Sequence, residues 1–251
     1  MKKKFSFLLF IILLNNLFGQ ESNYAKITYK AVYNEPSEVS ESLKKLRTEN
    51  QQYVKDFLES FKKIEFKLLY TKNESLFEVV EDIESTDDMH RKIAIIQISE
   101  NKIRYVNNLT KQKMVQLEFM GNKFNVPQKF ENYNWEITKD TTTINGLMCY
   151  KATTTKQIAG IGEFTGKNLL VTAWFTPSIP VSFGPNGFDG LPGLILSVSY
   201  GSIQLNASDI NLDYKTSKKI EKPKGGIDIK DDKEMTEIMF KKYKELNSEK
   251  N

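Results

Sequence analysis

His90, Cys149 and Asp189 are the side chains whose types invite chemistry. His90 sits in Asp87-Asp88-Met89-His90-Arg91. An imidazole oriented by an aspartate is the arrangement of a general base, and an imidazole with two carboxylates is a partial metal site. No Ser, Cys or Thr nearby has the strand-to-helix elbow that positions a hydrolase nucleophile, so His90 reads as an exposed loop histidine. Cys149 alternates in phase with Leu147 and Lys151, as a strand residue would, and free cysteine is among the most buried residue types. A structural role is expected for it. Asp189 is the best-placed carboxylate for acid–base work, although aspartate is also a common turn residue that bonds its own backbone. The chain has one His and one Cys, which excludes any disulfide framework within it and any metal site needing two of either residue. No catalytic residue, metal ligand set or cofactor is assigned.

Asp189 belongs to the densest local signal, TPSIPVSFGPNGFDGLPGLIL from Thr176 to Leu196. Pro185-Asn186 can fill the two central positions of a turn ending at Gly187. Leu191-Pro192-Gly193-Leu194 suits a type II turn, with proline presetting φ and Gly193 supplying a positive φ. The span is expected to be a stiff loop between two apolar strands, forming a lip at the sheet edge. Trp174, Phe175, Phe183, Phe188 and Asp189 are the candidate ligand or partner surface. Gly184, Pro185, Gly190, Leu191, Pro192, Gly193, Leu194 and Ile195 form the motif turn. Trp135 and Trp174 read as core more readily than as ligand platforms.

GLPGLIL at Gly190 to Leu196 resembles the signature of the GLPGLI family, exported proteins of the Bacteroidetes. Ala173-Trp174-Phe175-Thr176, Ile179-Pro180-Val181 and Gly184-Pro185 resemble that family's run-up to the motif. Trp135, Ile144-Asn145-Gly146, Cys149 and Lys151-Ala152 resemble its upstream stretch, and Leu68 with Ser75-Leu76-Phe77 its early hairpin. The 39–63 helix is longer than the family pattern, and Leu147 stands where an aromatic is common. The resemblance implies a secreted or envelope protein, of a kind often encoded beside outer-membrane transporters, with no established catalytic residue. Its meander also resembles the curved sheets of periplasmic lipoprotein carriers, an analogy of fold that supplies no function.

The first residues carry an address. Three lysines precede an apolar run from Phe5 to Leu14, and Gly19 is a small residue before a polar stretch. That is the layout of a secretory signal peptide over residues 1–19. Asn15 and Asn16 interrupt the run well short of the ~20 apolar residues of a membrane span, so none is expected once the leader is removed. No cysteine stands near the cut to accept a lipid anchor. Loss of Lys2, Lys3 and Lys4 takes the 36 basic residues to 33 against 32 acidic ones, and the net charge of +4 to about +1. Only Arg47, Arg91 and Arg104 are arginines, so no nucleic-acid partner is expected. The protein should be periplasmic, outer-membrane associated or extracellular.

Residues 20–251 read as a single domain, although no glycine occurs between Gln20 and Met120 and twelve follow. Tyr24 to Tyr33 alternates Ile27, Tyr29 and Ala31 against Lys26, Thr28 and Lys30, the period of a half-buried strand. Leu43, Leu46, Tyr53, Val54, Phe57, Leu58 and Phe61 make one helical stripe over 39–63. Strands are expected over 66–70, 76–80, 93–99, 102–107, 114–120, 135–141, 148–155, 168–176, 194–201 and 202–211, with 81–91 as a solvated loop. Asp231 and Glu234 have capping-box spacing at the start of a C-terminal helix over 231–246. The fold class is mainly β (α+β): a curved antiparallel meander or half-open barrel, with one internal amphipathic helix and the C-terminal helix packed on it. The expected function is non-catalytic: binding an apolar or peptide-like ligand or an outer-membrane protein. The alternatives are an exported hydrolase using Asp189 with His90 or another carboxylate, and a structural surface protein.

Overall fold

Alternation dominates the chain and builds one open sheet. The computed structural model describes residues 24–34, 41, 47–81, 88–99, 102–130, 133–157, 168–217 and 219–248. The expected leader, Leu43 and Leu46 lie outside these residues. The strands are β1 (Tyr24–Tyr33), β2 (Glu65–Tyr70), β3 (Glu74–Val79), β4 (Lys102–Asn107), β5 (Gln112–Phe119), β6 (Asn122–Gln128), β7 (Glu136–Ile144), β8 (Leu147–Gln157), β9 (Asn168–Thr176), β10 (Leu194–Tyr200), β11 (Ile203–Tyr214) and β12 (Ile227–Asp228). They form one 12-stranded sheet in the order β12-β6-β5-β4-β3-β2-β1-β11-β10-β9-β8-β7, so the sheet has two ends and does not close into a barrel. Two antiparallel meanders, β1 to β6 and β7 to β11, meet where β1 pairs with β11 from Tyr24↔Tyr214 to Tyr33↔Ile203. β12 adds to β6 in parallel.

Period two sends one row of side chains to a covered face. Ile27, Tyr29, Phe66, Leu68, Phe77, Val171, Ala173 and Val198 belong to its main cluster, all at most 2% exposed. Burying a side chain of this size contributes roughly 1.5–3 kcal/mol. The Tyr29 hydroxyl enters this core because it donates to the Ile195 carbonyl at 2.6 Å. On the opposite face Tyr24, Tyr105 and Ile220 form a small second layer.

Three helices occur among the described residues: α1 (Thr48–Lys62), α2 (Met89–Ser99) and α3 (Asp232–Ser248). None is long and apolar enough to cross a membrane. α1 buries Phe61 and half-buries Val54, Phe57 and Leu58, but Tyr53, expected on that stripe, is 55% exposed. The strand expected over 93–99 is instead helix α2, and its first turn consumes the end of the expected loop. Asp88 explains the start: its carboxylate accepts from the backbone N–H of His90 at 2.9 Å and of Arg91 at 3.3 Å. Arg91, Ala94, Ile95 and Ile98 then share a buried face at helical spacing. The β-branched run satisfies either period locally, and packing against the sheet selects the helical one. Strand β6 was not among the expected strands, and it contains Pro127, a residue that sheets confine to edges and bulges. It is tolerated because β12 pairs only with Phe124 and Asn125, so Pro127 is past the last backbone partner on that side.

α3 begins as its spacing suggests. Asp231 accepts from the Glu234 N–H at 3.0 Å, and Glu234 reaches back to the Lys230 N–H at 2.6 Å. The helix presents Met235, Ile238 and Met239 to Val115, Leu117, Phe124 and Val126 of β5 and β6, near the β12 end of the sheet. Asp231→Ala should cost about 1 kcal/mol, as loss of a helix cap does. Thermal melts and faster amide exchange in the first turn of α3 would report it. An unchanged exchange rate there would mean the cap contributes nothing.

The Thr176–Gly193 connection corrects two expectations. β9 and β10 are interior strands, so their loop is no lip at the sheet edge. It folds onto the covered face, with Phe183, Phe188 and Leu191 at 1%, 0% and 1% exposure. Backbone N–H groups of Gly190, Leu194 and Ile195 donate to the carbonyls of Ser182, Ile179 and Phe183. Gly193 is not among the residues with positive φ, so the 191–194 turn is not the expected type II. The left-handed positions are Asn186 (φ 53), Gly187 (φ 80) and Gly190 (φ 90). Phe188 N–H bonds the Pro185 carbonyl at 3.1 Å, making Asn186-Gly187, rather than Pro185-Asn186, the centre of that turn.

Candidate functional site

Asn186 is where the loop meets both meanders. Its Nδ2 donates to the Ile98 carbonyl of α2 at 2.9 Å and to the Tyr200 hydroxyl of β10 at 2.7 Å. Its Oδ1 accepts from Arg104 Nε of β4 at 2.9 Å. A short side chain that tolerates left-handed backbone is required here, which is why an asparagine suits it. Three residues on, Asp189 accepts from Lys113 of β5 at 2.9 Å, with side-chain exposures of 7% and 11%. Burial pushes the Asp189 carboxyl above its usual range, and Lys113 opposes that without cancelling it. The Asp189 carbonyl accepts from Trp135 Nε1 at 2.8 Å. Tyr133, Trp135 and Tyr200 surround the Phe188 ring at centroid distances of 5.2, 6.4 and 5.2 Å.

The expected surface residues are therefore mostly core. Phe175, Phe183, Phe188 and Asp189 are at most 5% exposed. Trp174 alternates to the other face of β9, opposite Phe175, and is half-buried. In the motif turn, Gly184, Pro185, Leu191, Gly193, Leu194 and Ile195 are buried, Gly190 is half-buried and Pro192 is exposed. Asp189 and His90 have separate partners: Asp189 is tied to Lys113, whereas His90 packs against the rings of Tyr53 and Phe57, at 4.6 and 6.3 Å, with Asp88 3.9 Å away. Cys149 is fully buried, and that burial raises its thiol pKa, which disfavours a reactive thiolate. Among the described residues no group of three His, Cys, Asp or Glu side chains is placed to hold a metal ion.

Sequence reading missed a group of cations on the covered face. Lys102 and Arg104 stand two apart on β4, in phase with core residue Val106. Lys156 stands in phase with Ala152 and Thr154 on β8, its Nζ 5.4 Å from the Phe188 ring centroid. Burial, then Arg104, lowers the Lys156 pKa to about 8. Burial, then Arg104 and Lys156, brings Lys102 to about 8 as well. Burial also lowers the Arg104 pKa, and the Asp232 carboxylate opposes the shift at all three. Burial raises the Tyr133 phenol to about 12. The signal available in sequence was phase: each of these cations occupies a position that its strand's alternation assigns to the core.

Tyr133 and Asp232 also line a cleft of about 480 Å³, together with Pro127, Gln128, Lys129, Asp231 and Lys233. Gln128 Nε2 donates to Asp232 at 2.9 Å, holding the start of α3 against β6.

Residues 161–197 match a family model described as a protein of unknown function, Porph_ging. No curated protein matches this chain. Among solved structures, PNGF-II in its P21 crystal form is similar over 88% of this chain and 34% of its own, with TM-score 0.54 and 13% identity. Its C2 form gives 0.52 and 14% over 88% of this chain and 33% of its own. The chain thus spans about a third of PNGF-II, and the likeness is one of fold. LprF from Mycobacterium bovis is matched over 81% of this chain and 90% of its own, at a TM-score of 0.27 and 9% identity, too low to indicate a shared fold.

Proposed function

We propose that this is a GLPGLI-type exported protein of the cell envelope that acts by binding rather than by catalysis, its partner being a peptide-like ligand or an outer-membrane protein. The observation that carries this reading is the placement of the Thr176–Gly193 loop. Its aromatic residues and its one carboxylate are spent on the protein's own packing, with Asp189 neutralised by Lys113. The covered face is filled by that loop and by the helices, which argues against an apolar molecule stored inside the sheet. The match over 161–197 includes the stretch that carries GLPGLIL, and the basic-end, apolar-middle leader supports export.

Crosslinking in intact envelopes, followed by mass spectrometry of the recovered protein, tests the reading. Recovery of a discrete envelope protein or peptide is the expected result. Turnover of glycan or peptide substrates that Asp189→Asn abolishes, while leaving the fold intact, would replace it with the hydrolase.

A further inference from the structure

We infer that Asn145-Gly146, the turn of the β7–β8 hairpin, is a site of spontaneous deamidation, and that the change at Asn145 frees the hairpin tip from β11. The site rests on its own geometry and not on the function proposed above. Ile144 pairs with Leu147, so Asn145 and Gly146 fill a two-residue turn, both with left-handed backbone at φ 50° and 77°. Glycine puts no side chain in the way when its backbone nitrogen approaches the neighbouring amide. Asn145 is exposed, and a Cβ at Gly146 would meet nothing within 4 Å, so base and water reach the turn. The Gly146 nitrogen gives up its proton to solvent base and attacks Cγ of Asn145. The Cγ–Nδ2 bond breaks and that nitrogen leaves as ammonia. Water then opens the cyclic imide: cleavage between Cγ and the Gly146 nitrogen yields aspartate, and cleavage at the main-chain carbonyl carbon yields isoaspartate. Water is the sole co-reactant.

The chain holds its own control. Asn186-Gly187 is the same pair of residues at nearly the same angles, φ 53° and 80°. Its asparagine is 3% exposed and is held by Ile98, Tyr200 and Arg104. Ring closure requires the side chain and backbone to rotate, which a surface turn achieves by local opening and a core residue only by unfolding. Asn145 is held by less: its Nδ2 donates to the Ala207 carbonyl of β11 at 3.0 Å. That bond ties the turn to a strand with which neither β7 nor β8 pairs. Ile144 and Leu147, on either side of the turn, pack half-buried against the core cluster that contains Cys149 and Ala207. A carboxylate at position 145 has no proton to donate and sets its charge against the Ala207 carbonyl oxygen, so repulsion replaces the bond. The tip then lifts, and Cys149, fully buried while the tip is seated, becomes accessible.

Incubation of the whole protein at mildly alkaline pH, followed by peptide mass mapping, tests the site. The peptide containing Asn145 should gain the mass that separates an acid from an amide and split into aspartate and isoaspartate forms. The peptide containing Asn186 should stay unchanged while the protein is folded. Conversion of Asn186 at an equal rate would overturn the assignment, as would no conversion of Asn145 under conditions in which a free peptide of residues 143–149 converts. Asn145→Asp tests the consequence directly. With the fold retained by circular dichroism, its Cys149 should react with a thiol reagent several-fold faster than in wild type. Aged wild-type protein, separated by ion exchange into converted and unconverted fractions, should show the same difference, which keeps the test independent of how the variant folds. Equal thiol reactivity in the two fractions would overturn the release of the tip.

Discussion

Replacing Lys113 with methionine should cost about 3–5 kcal/mol at neutral pH, the range for leaving a buried charge without its partner. Lys113 Nζ lies 2.9 Å from both Asp189 carboxylate oxygens, and both side chains are nearly covered. Burial already holds the Asp189 carboxyl above its usual range, and Lys113 is what opposes it. A carboxyl whose folded-state pKa is raised favours the folded state below its unfolded pKa and loses that contribution as pH rises through the folded value. In Lys113→Met the folded value moves higher still. The deficit against wild type is then full at neutral pH and narrows on acidification through that value. Urea unfolding at about pH 7 and about pH 4 would show it. Equal deficits at the two pH values would mean that the charge of Asp189 is not what the lysine compensates. Adding Asp189→Leu to Lys113→Met should restore most of the loss, since an apolar pair can replace a buried ion pair at little cost.

Gly193→Ala should destabilise the protein by about 3 kcal/mol or more, at the upper end of overpacking effects. The reason is space rather than backbone angle. A Cβ at Gly193 would stand 2.3 Å from the Thr176 carbonyl oxygen and 2.6 Å from its carbon. These are backbone atoms of an interior strand, held by the Leu194↔Thr176 pairing, and they have no rotamer through which to yield. The measurement is a thermal or urea midpoint, with Gly121→Ala as a comparison at which a Cβ meets nothing within 4 Å but the φ of 75° is strained. A Gly193→Ala midpoint at or above that of Gly121→Ala would refute the steric account.

Alternation made most strands legible, because period two is a local property: Tyr24 to Tyr33 and Asn168 to Thr176 are strands at the expected bounds. The open curved antiparallel sheet follows from the same signal. What failed was set by distant partners. Ile93 to Ser99 is consistent with either period, and the sheet decided it. The β5–β6 hairpin turns on Met120-Gly121, with φ of 51° and 75°, where methionine gives no turn signal. Proline and glycine correctly marked the 176–193 loop, but proline content says nothing of burial, and the exposed lip became a core plug. Cations at Lys102, Arg104 and Lys156 were passed over because a charge in a strand ordinarily faces water. Only the approach of the two meanders reveals what these three face.

The β1–β11 seam sets the order in which this chain is able to complete itself. β1 is the first described strand to be synthesised, yet one of its two neighbours, β11, begins only at Ile203. Until β11 arrives, half of the backbone donors and acceptors on β1 have no strand to answer them, and β10 likewise lacks one neighbour. Bringing such distant segments together costs loop-closure entropy before any contact returns it, and non-local pairing slows folding. A chain still emerging from the ribosome therefore exposes the borders of two incomplete halves, β1 and β10, and unpaired strand edges of this kind are where chains cross-pair. The seam therefore closes only after residues 203–214 have been made, and the sheet is continuous from then on.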